Sequence, residues 1–335
     1  MTAGTPETIS PAASRPAASS LWQFMALLAA LWCLFFALYR ALPYVRSGFV
    51  VVYSAKVDLE RAGKLFPATV PEPERLVIFG NSKVLAGFVP AAFDAGVAAQ
   101  GRPRVYSYNL GLPDEQHFGA DLERLLQHGQ RPARILLTLP PVETQRRRSV
   151  FRFLSDDDRI MQQLFPFRKL PRDLFLFAAL SRKHGGLRAF YRYGEDAVST
   201  MERDRGYYFI ESKSHYEHDR LPGDLQLEAD RPEQVNIRPP LDTAGAEFQH
   251  LARLADRYDL HFYFVPMYFR AHEYAEPPER NQQLAGALKK FPRFTLLGPD
   301  YWRLPNLYFS DPVHLNPEGA RYYTGRLVQL VAPAL

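Results

Sequence analysis

The sequence predicts an α/β fold with a mainly parallel central sheet, preceded by one N-terminal transmembrane helix. Three observations predict it: a 24-residue stretch without a charge near the N-terminus, four short apolar runs bounded by turn residues, and helix-period segments between those runs. Of the 335 residues, 47% are hydrophobic and 23% charged, which suits a globular protein with one substantial core.

Residues 1–20 are rich in Ala, Ser, Thr and Pro, the composition of a disordered tail. The span is placed at 21–42. No charge occurs from Pro16 to Tyr39, and Leu, Ala, Phe and Trp cover every face of Leu21 to Tyr39. About 20 such residues cross the roughly 30 Å hydrocarbon layer. Trp22 and Tyr39 suit its two interfaces. A cleaved signal peptide competes with this reading, but its apolar region is usually about 7–15 residues with a small-residue cleavage site after it. Here a longer run is followed by Arg40-Ala41-Leu42-Pro43-Tyr44, which favours an uncleaved anchor. Arg15 precedes the span whereas Arg40 and Arg46 follow it, a bias that alone points to a cytoplasmic C-terminal part.

Residues 43–73 read as a connector or peripheral strand pair, because Phe49 to Tyr53 is β-prone and Pro67, Pro71 and Pro73 break structure afterwards. The α/β domain is placed at 74–335. Its strands are expected at Arg75–Gly80, Val105–Leu110, Arg134–Leu139 and His261–Pro266, short apolar runs of the buried parallel kind. Helices are expected from Asp114 or Glu115 to His128 and from Glu247 to Tyr258, each with leucines on a helical spacing. An insertion at about 146–240 interrupts the rhythm, where loops can overhang the sheet's carboxyl end.

The formal net charge is +5, yet no zinc-finger spacing, RNA-binding strand motif or long basic tail is present, which argues against nucleic acid. Arg146 to Arg148 read as a solvated loop or an anionic binding edge. A single cysteine, Cys33, excludes an intramolecular disulfide and a multi-cysteine metal site; no metal or cofactor is expected.

Two motifs carry chemistry. Phe79-Gly80-Asn81-Ser82-Lys83 follows the first core strand, where a hydroxyl can sit at the crevice beside backbone amides. The same composition also suits a turn or helix cap. Near the C-terminus, Asp311 and His314 stand three apart, before Asn316-Pro317-Glu318-Gly319. Asn316 is a good N-cap and Pro317 a good first helical residue, which leaves Asp311 and His314 on the preceding loop. A serine nucleophile needs an imidazole to take its proton and a carboxylate to orient that imidazole. Local backbone capping is the competing role for this pair.

These blocks resemble the SGNH (GDSL-type) hydrolase superfamily, whose serine follows the first strand and whose late Asp-x-x-His completes the catalytic set. The resemblance implies a three-layer sandwich with Ser82 as nucleophile, His314 as base and Asp311 as its orienter. A glycine after the second strand is matched at Asn109-Leu110-Gly111, which implies an oxyanion hole from the Ser82 and Gly111 amides. Lys83, Asn109 and Asp114 are the candidate substrate-binding residues; Lys83 beside the serine suits an anionic substrate or simply faces water, and Asp114, with Glu115 and His117, also suits a helix's first turn. Two departures stand out. Position 81 is Asn where the family usually has Asp, and the Gly-x-Asn expected after the third strand is replaced by Thr138-Leu139-Pro140-Pro141. One of the family's usual oxyanion donors is therefore missing.

Members with an N-terminal span resemble the AlgJ/AlgX-like and DltD-like proteins that acylate bacterial envelope polymers. That branch implies a single-pass inner-membrane protein with an outward-facing domain, a membrane-bound O-acyltransferase as acyl donor, and a polysaccharide or other polymer as acceptor. A non-catalytic polysaccharide-binding or scaffold protein and an ordinary carboxylesterase are the alternatives. His261 and His272 read as structural or surface residues. Tyr207, Tyr208, Phe209, Tyr263, Tyr268 and Phe269 read mainly as core, with a sugar groove as the other option.

Overall fold

A computed structural model describes residues 18–41, 48–112, 118–138, 185–227, 242–272, 282–299 and 301–335, with isolated positions between 165 and 182. Two compact units emerge: residues 1–45 with 148–175, and residues 46–147 with 176–335. In the first, α1 runs Ala18–Ala41. Its stretch Ser20–Leu38 is long and apolar enough to cross a membrane, and Leu21, Trp22, Leu28 and Leu34 are exposed along it. Of the tail expected at 1–20, residues 1–17 lie outside the described residues and Ala18 already begins α1.

The second unit is a three-layer α/β sandwich. Its strands are β1 (Arg75–Gly80), β2 (Tyr106–Gly111), β3 (Arg134–Thr138), β4 (His261–Val265), β5 (Met267–Arg270), β6 (Phe294–Leu296) and β7 (Tyr301–Leu304). Five form a parallel sheet in the order β2-β1-β3-β4-β6, and β5 pairs in parallel with β7. The four expected strands are thus present, each within a residue of the boundary read from sequence. β6 and the β5–β7 pair were not expected: three or four residues are too short for periodicity to mark.

Alternation along the strands divides the core into two faces. Leu76, Ile78, Leu136, Tyr263 and Val265 face one cluster. It is covered by α3 (Ser82–Gly87), α4 (Pro90–Ala99) and the C-terminal helix, Pro317–Val331. Val77, Phe79, Ile135, Leu137, Phe262 and Phe264 face the other. There α5 (Phe118–Gln127), Ala246–Tyr258 and Gln282–Leu288 supply the cover. In chain order the remaining helices are α2 (Gly48–Arg61), α6 (Leu187–Arg203), α7 (Ala246–Tyr258), α8 (Gln282–Leu288) and α9 (Pro317–Val331). The helix expected from Asp114 or Glu115 is described from Phe118 onward; residues 113–117 lie outside the described residues.

Because β1 has β2 on one side and β3 on the other, the strand order reverses between β1 and β3. In open parallel sheets the crevice at the strands' carboxyl ends opens at such a reversal. Gly80 and Thr138 end the two strands that flank it.

Residues 48–61 correct the reading of 43–73. They form a helix, α2, where a connector or a peripheral strand pair was expected. Val52, Lys56 and Glu60 recur at helical spacing and are all buried, so packing on one face overrides the β-preference of the valines. Val52 joins Leu85, Ala86, Ala197 and Met201 in a third cluster, which ties α2 and α6 to α3. Part of the expected insertion is equally built in. The Asn109 N–H donates to the Arg205 carbonyl and the Tyr208 N–H to the Leu85 carbonyl. Arg205 also pairs with Asp94 on α4. Gly206, at φ +90°, passes so close to β2 that a Cβ would lie 2.1 Å from the Asn109 oxygen. Residues 228–241 and the Arg146–Arg148 cluster lie outside the described residues.

Lys56 is the unusual core residue. Its Nζ donates to the Asn109 and Gly111 carbonyls at 2.8 Å each, at the carboxyl end of β2. Burial lowers its pKa well below the usual lysine value, and its N–H groups serve those two acceptors. Lys56→Met strands both carbonyls and is expected to lower stability by about 1–3 kcal/mol in denaturant titrations. The lysine is protonated more readily when unfolded, so wild-type stability rises with pH between its depressed folded pKa and the ordinary value near about 10.4. The stability gap to Lys56→Met should widen over that window; a gap that narrows with pH contradicts the account.

Candidate active site

Asn81 caps α3, its Oδ1 accepting from the Lys83 N–H at 2.9 Å. Ser82 is therefore the first helical residue, directly beyond β1. The cap is thus Asn81, and the half-buried Ser82 stands one residue further on. The first N–H groups of a helix have no partner within it. Among the described residues none accepts from the Ser82 N–H, which remains a donor at the crevice.

At the other end of the chain, Asn316 caps α9 with its Oδ1 on the Gly319 N–H at 2.8 Å, and Pro317 takes the first turn, as expected. The loop before it is closed by a Phe309–Leu315 bridge and by the Ser310 N–H on the His314 carbonyl at 2.9 Å. Arg270, buried at the end of β5, donates through Nε to the Pro312 carbonyl at 2.9 Å. Asn316 Nδ2 also donates to Leu307 and Asp219. Such a loop has few ways to move.

It brings Asp311 and His314 to Ser82. His314 Nδ1 lies 2.7 Å from Asp311 Oδ2, and His314 Nε2 lies 3.0 Å from Ser82 Oγ. A carboxylate only accepts, so Nδ1 carries the proton and the neutral ring leaves Nε2 to accept from the serine hydroxyl. Asp311 Oδ1 takes the N–H groups of Val313 at 2.7 Å and His314 at 2.9 Å. Burial favours the neutral acid, but the hydrogen bond from the His314 ring and those from two amides, joined by the ring's charge whenever it is protonated, outweigh that and hold Asp311 below the usual carboxylate range. Asp311 and His314 are buried, and Ser82 is half-buried. Ser82 and a pair of residues far along the chain thus form a serine–histidine–aspartate line with hydrogen-bond distances throughout.

No protein-family model, curated protein or solved structure matches this chain. What the site can do rests on its geometry.

The other expected site residues fare differently. Gly111 reaches the crevice, but its N–H donates to Asn109 Oδ1 at 2.8 Å and so is not aimed at a substrate oxygen. Its lack of a side chain serves packing: a Cβ there would lie 2.2 Å from the Leu85 N–H nitrogen. Asn109 is fully buried, and its Nδ2 donates to the Val84, Leu85 and Phe88 carbonyls. It holds α3 in place and does not meet a substrate. Lys83 turns inward as well. Its Nζ sits 3.8 Å from the Phe269 ring centre and 3.3 Å from the Tyr268 carbonyl, while the Tyr268 hydroxyl donates to the Lys83 carbonyl. Asp114, Glu115 and His117 lie outside the described residues. Among the aromatics expected mainly as core, Tyr208, Tyr263, Tyr268 and Phe269 are buried.

Thr138 was not singled out from the sequence. It ends β3 on the same face as Leu136, the face that carries Val84, Phe309 and Leu315. Its Oγ1 would lie 2.8 Å from a Cβ on Gly80, two residues before Ser82. The hydroxyl is buried and has no hydrogen-bond partner among the described residues. An orphaned buried hydroxyl is costly, by about 1–3 kcal/mol, and calls for an explanation. The sequence signal was its place at the end of the strand where a donor was sought.

The Asp311 pKa makes the site's stability pH-dependent. With the folded value depressed, the contribution is full above the ordinary carboxylate pKa of about 3.9 and is lost as pH falls through the folded value. Thermal unfolding of wild type and Asp311→Asn should therefore differ most near neutrality and converge in acid. A difference that stays constant below about pH 4 contradicts this.

Proposed function

We propose that this protein is a membrane-anchored serine acyl-transfer enzyme that works through an acyl ester on Ser82. The observation that carries the reading is the Ser82–His314–Asp311 line at the switch point of a parallel sheet. A scaffold has no need for a half-buried serine bonded to a buried, carboxylate-oriented imidazole.

In the proposed reaction, His314 Nε2 takes the Ser82 proton as Oγ attacks the acyl carbonyl carbon. The bond to the leaving oxygen breaks, and His314 returns the proton to that oxygen. The acceptor hydroxyl then loses its proton to His314, attacks the acyl-serine and regenerates Ser82. Asp311 remains a carboxylate throughout and balances the charge on the imidazolium. The Ser82 N–H and the Thr138 hydroxyl are the donors left uncommitted at the ends of β1 and β3, and we assign both to the developing oxyanion. Thr138 thereby takes the part left vacant by the absent Gly-x-Asn.

The finer reading follows the resemblance to SGNH proteins with a membrane span. The acceptor is then a hydroxyl of a cell-envelope or extracellular polysaccharide, the domain faces outward from a bacterial inner membrane, and a membrane-bound O-acyltransferase supplies the acyl group. The helix of membrane-spanning length supports the anchoring. Transfer to a sugar and hydrolysis share the acyl-serine.

The test is peptide mass spectrometry after incubation with an activated acetyl ester. Wild type should carry one acetyl group on the Ser82 peptide, and Ser82→Ala none. Thr138→Val keeps the shape and removes the donor, so acylation should slow by about 10²–10³-fold with the fold intact, and Thr138→Ser should retain most of the rate. An unmodified Ser82 peptide in folded wild type, with acetyl and D-alanyl donors alike, counts against the enzyme. A wild-type rate in Thr138→Val counts against Thr138 alone.

A further inference from the structure

Rings from a distant part of the chain pack on the membrane-length helix. Phe167 stands edge-on to Trp32 with centroids 6.5 Å apart, and lies 5.9 Å from Phe35. Phe165 meets Phe167 edge-to-face at 5.9 Å. Trp32 in turn stacks on Phe36 at 5.1 Å. Leu174 and Phe175, a few residues on, are exposed by 44% and 74%.

The position of this contact along α1 is informative. Its apolar stretch ends at Leu38, the end from which the chain continues into the α/β unit. At about 1.5 Å per residue, Phe35 lies about 4.5 Å and Trp32 about 9 Å inside that end. Interfacial segments bury their apolar side chains to about 5–10 Å, the same depth. Phe167 thus meets the helix in the half toward its Leu38 end. The surrounding sequence has the matching chemistry: Arg168, Lys169 and Arg172 alternate with Leu170, Leu174 and Phe175. Long cationic side chains reach up to headgroups while aromatic and leucine side chains go below them.

We propose that Phe165, Phe167, Leu174 and Phe175 enter the bilayer beside α1 and make a second membrane contact. The occupant of this surface is lipid, at the headgroup–acyl boundary of the leaflet that holds the Leu38 end of the span. The inference rests on reading α1 as a membrane span. It gives the α/β unit a tether through the segment that follows β3 as well as through α1.

Single-cysteine versions of the full chain, made in Cys33→Ala, carry an environment-sensitive fluorophore at Leu27→Cys, Phe167→Cys or Arg104→Cys. Leu27 marks the span, and Arg104, whose side chain is 81% exposed, marks the water-facing surface. Each is reconstituted without other proteins into phosphatidylcholine–phosphatidylglycerol vesicles and quenched by aqueous iodide or by acyl-chain nitroxide lipids. The label at 167 should behave like that at 27, with iodide quenching several-fold weaker than at 104 and strong quenching by nitroxide lipid. A label at 167 as open to iodide as that at 104, with 27 protected, overturns the lipid contact and leaves a surface for a protein partner. If 27 is open to iodide too, the span itself is refuted and the inference falls with it.

Discussion

Ser82 rides on a helix of six residues, too short to persist through its own hydrogen bonds, so the site depends on what ties that helix down. The ties are many. Asn109 donates to three of the carbonyls near its end, and the Tyr268 hydroxyl takes a fourth at Lys83. Thr324 on α9 donates to the Gly87 carbonyl and accepts from the Val89 N–H. Each tie reaches a different part of the fold: β2, β5 and α9. Through them the serine is registered against the same helix whose cap fixes the Asp311–His314 loop.

The same need accounts for several buried polar groups of the unit. A carbonyl taken from water must find a donor, and a parallel sheet meeting a short helix leaves several without one. Asn109, Lys56, Tyr268 and Arg270 supply them. Two residues expected to touch substrate, Asn109 and Lys83, belong to this supporting set. Among the described residues the Thr138 and Tyr207 hydroxyls are buried without such a task, and of the two only Thr138 ends a strand beside the switch point.

The alternation of apolar runs with helix-period segments made the sheet and its helices legible in the sequence, since buried parallel strands leave little room for polar residues. Ser82, Asp311 and His314 were singled out through the resemblance to the SGNH blocks, since their local composition alone suits turns and helix caps equally. α2 was not, because its valines favour strands locally while its burial at Val52, Lys56 and Glu60 is decided by α5, α6 and β2. Nor was the Gly111 amide's partner, since a side chain two residues away competes for it only once β2 has ended against α3. The contact of Phe167 with α1 joins positions more than 130 apart, which no local pattern encodes.

The central claim is that His314 activates Ser82 for acyl chemistry. Labelling of the intact protein with a serine-directed fluorophosphonate, followed by peptide mapping, tests it most directly. The account predicts a single phosphonyl group on Ser82 in wild type, and loss of nearly all labelling in His314→Ala with the thermal transition preserved. Equal labelling of wild type and folded His314→Ala, or modification at serines other than Ser82, would contradict it.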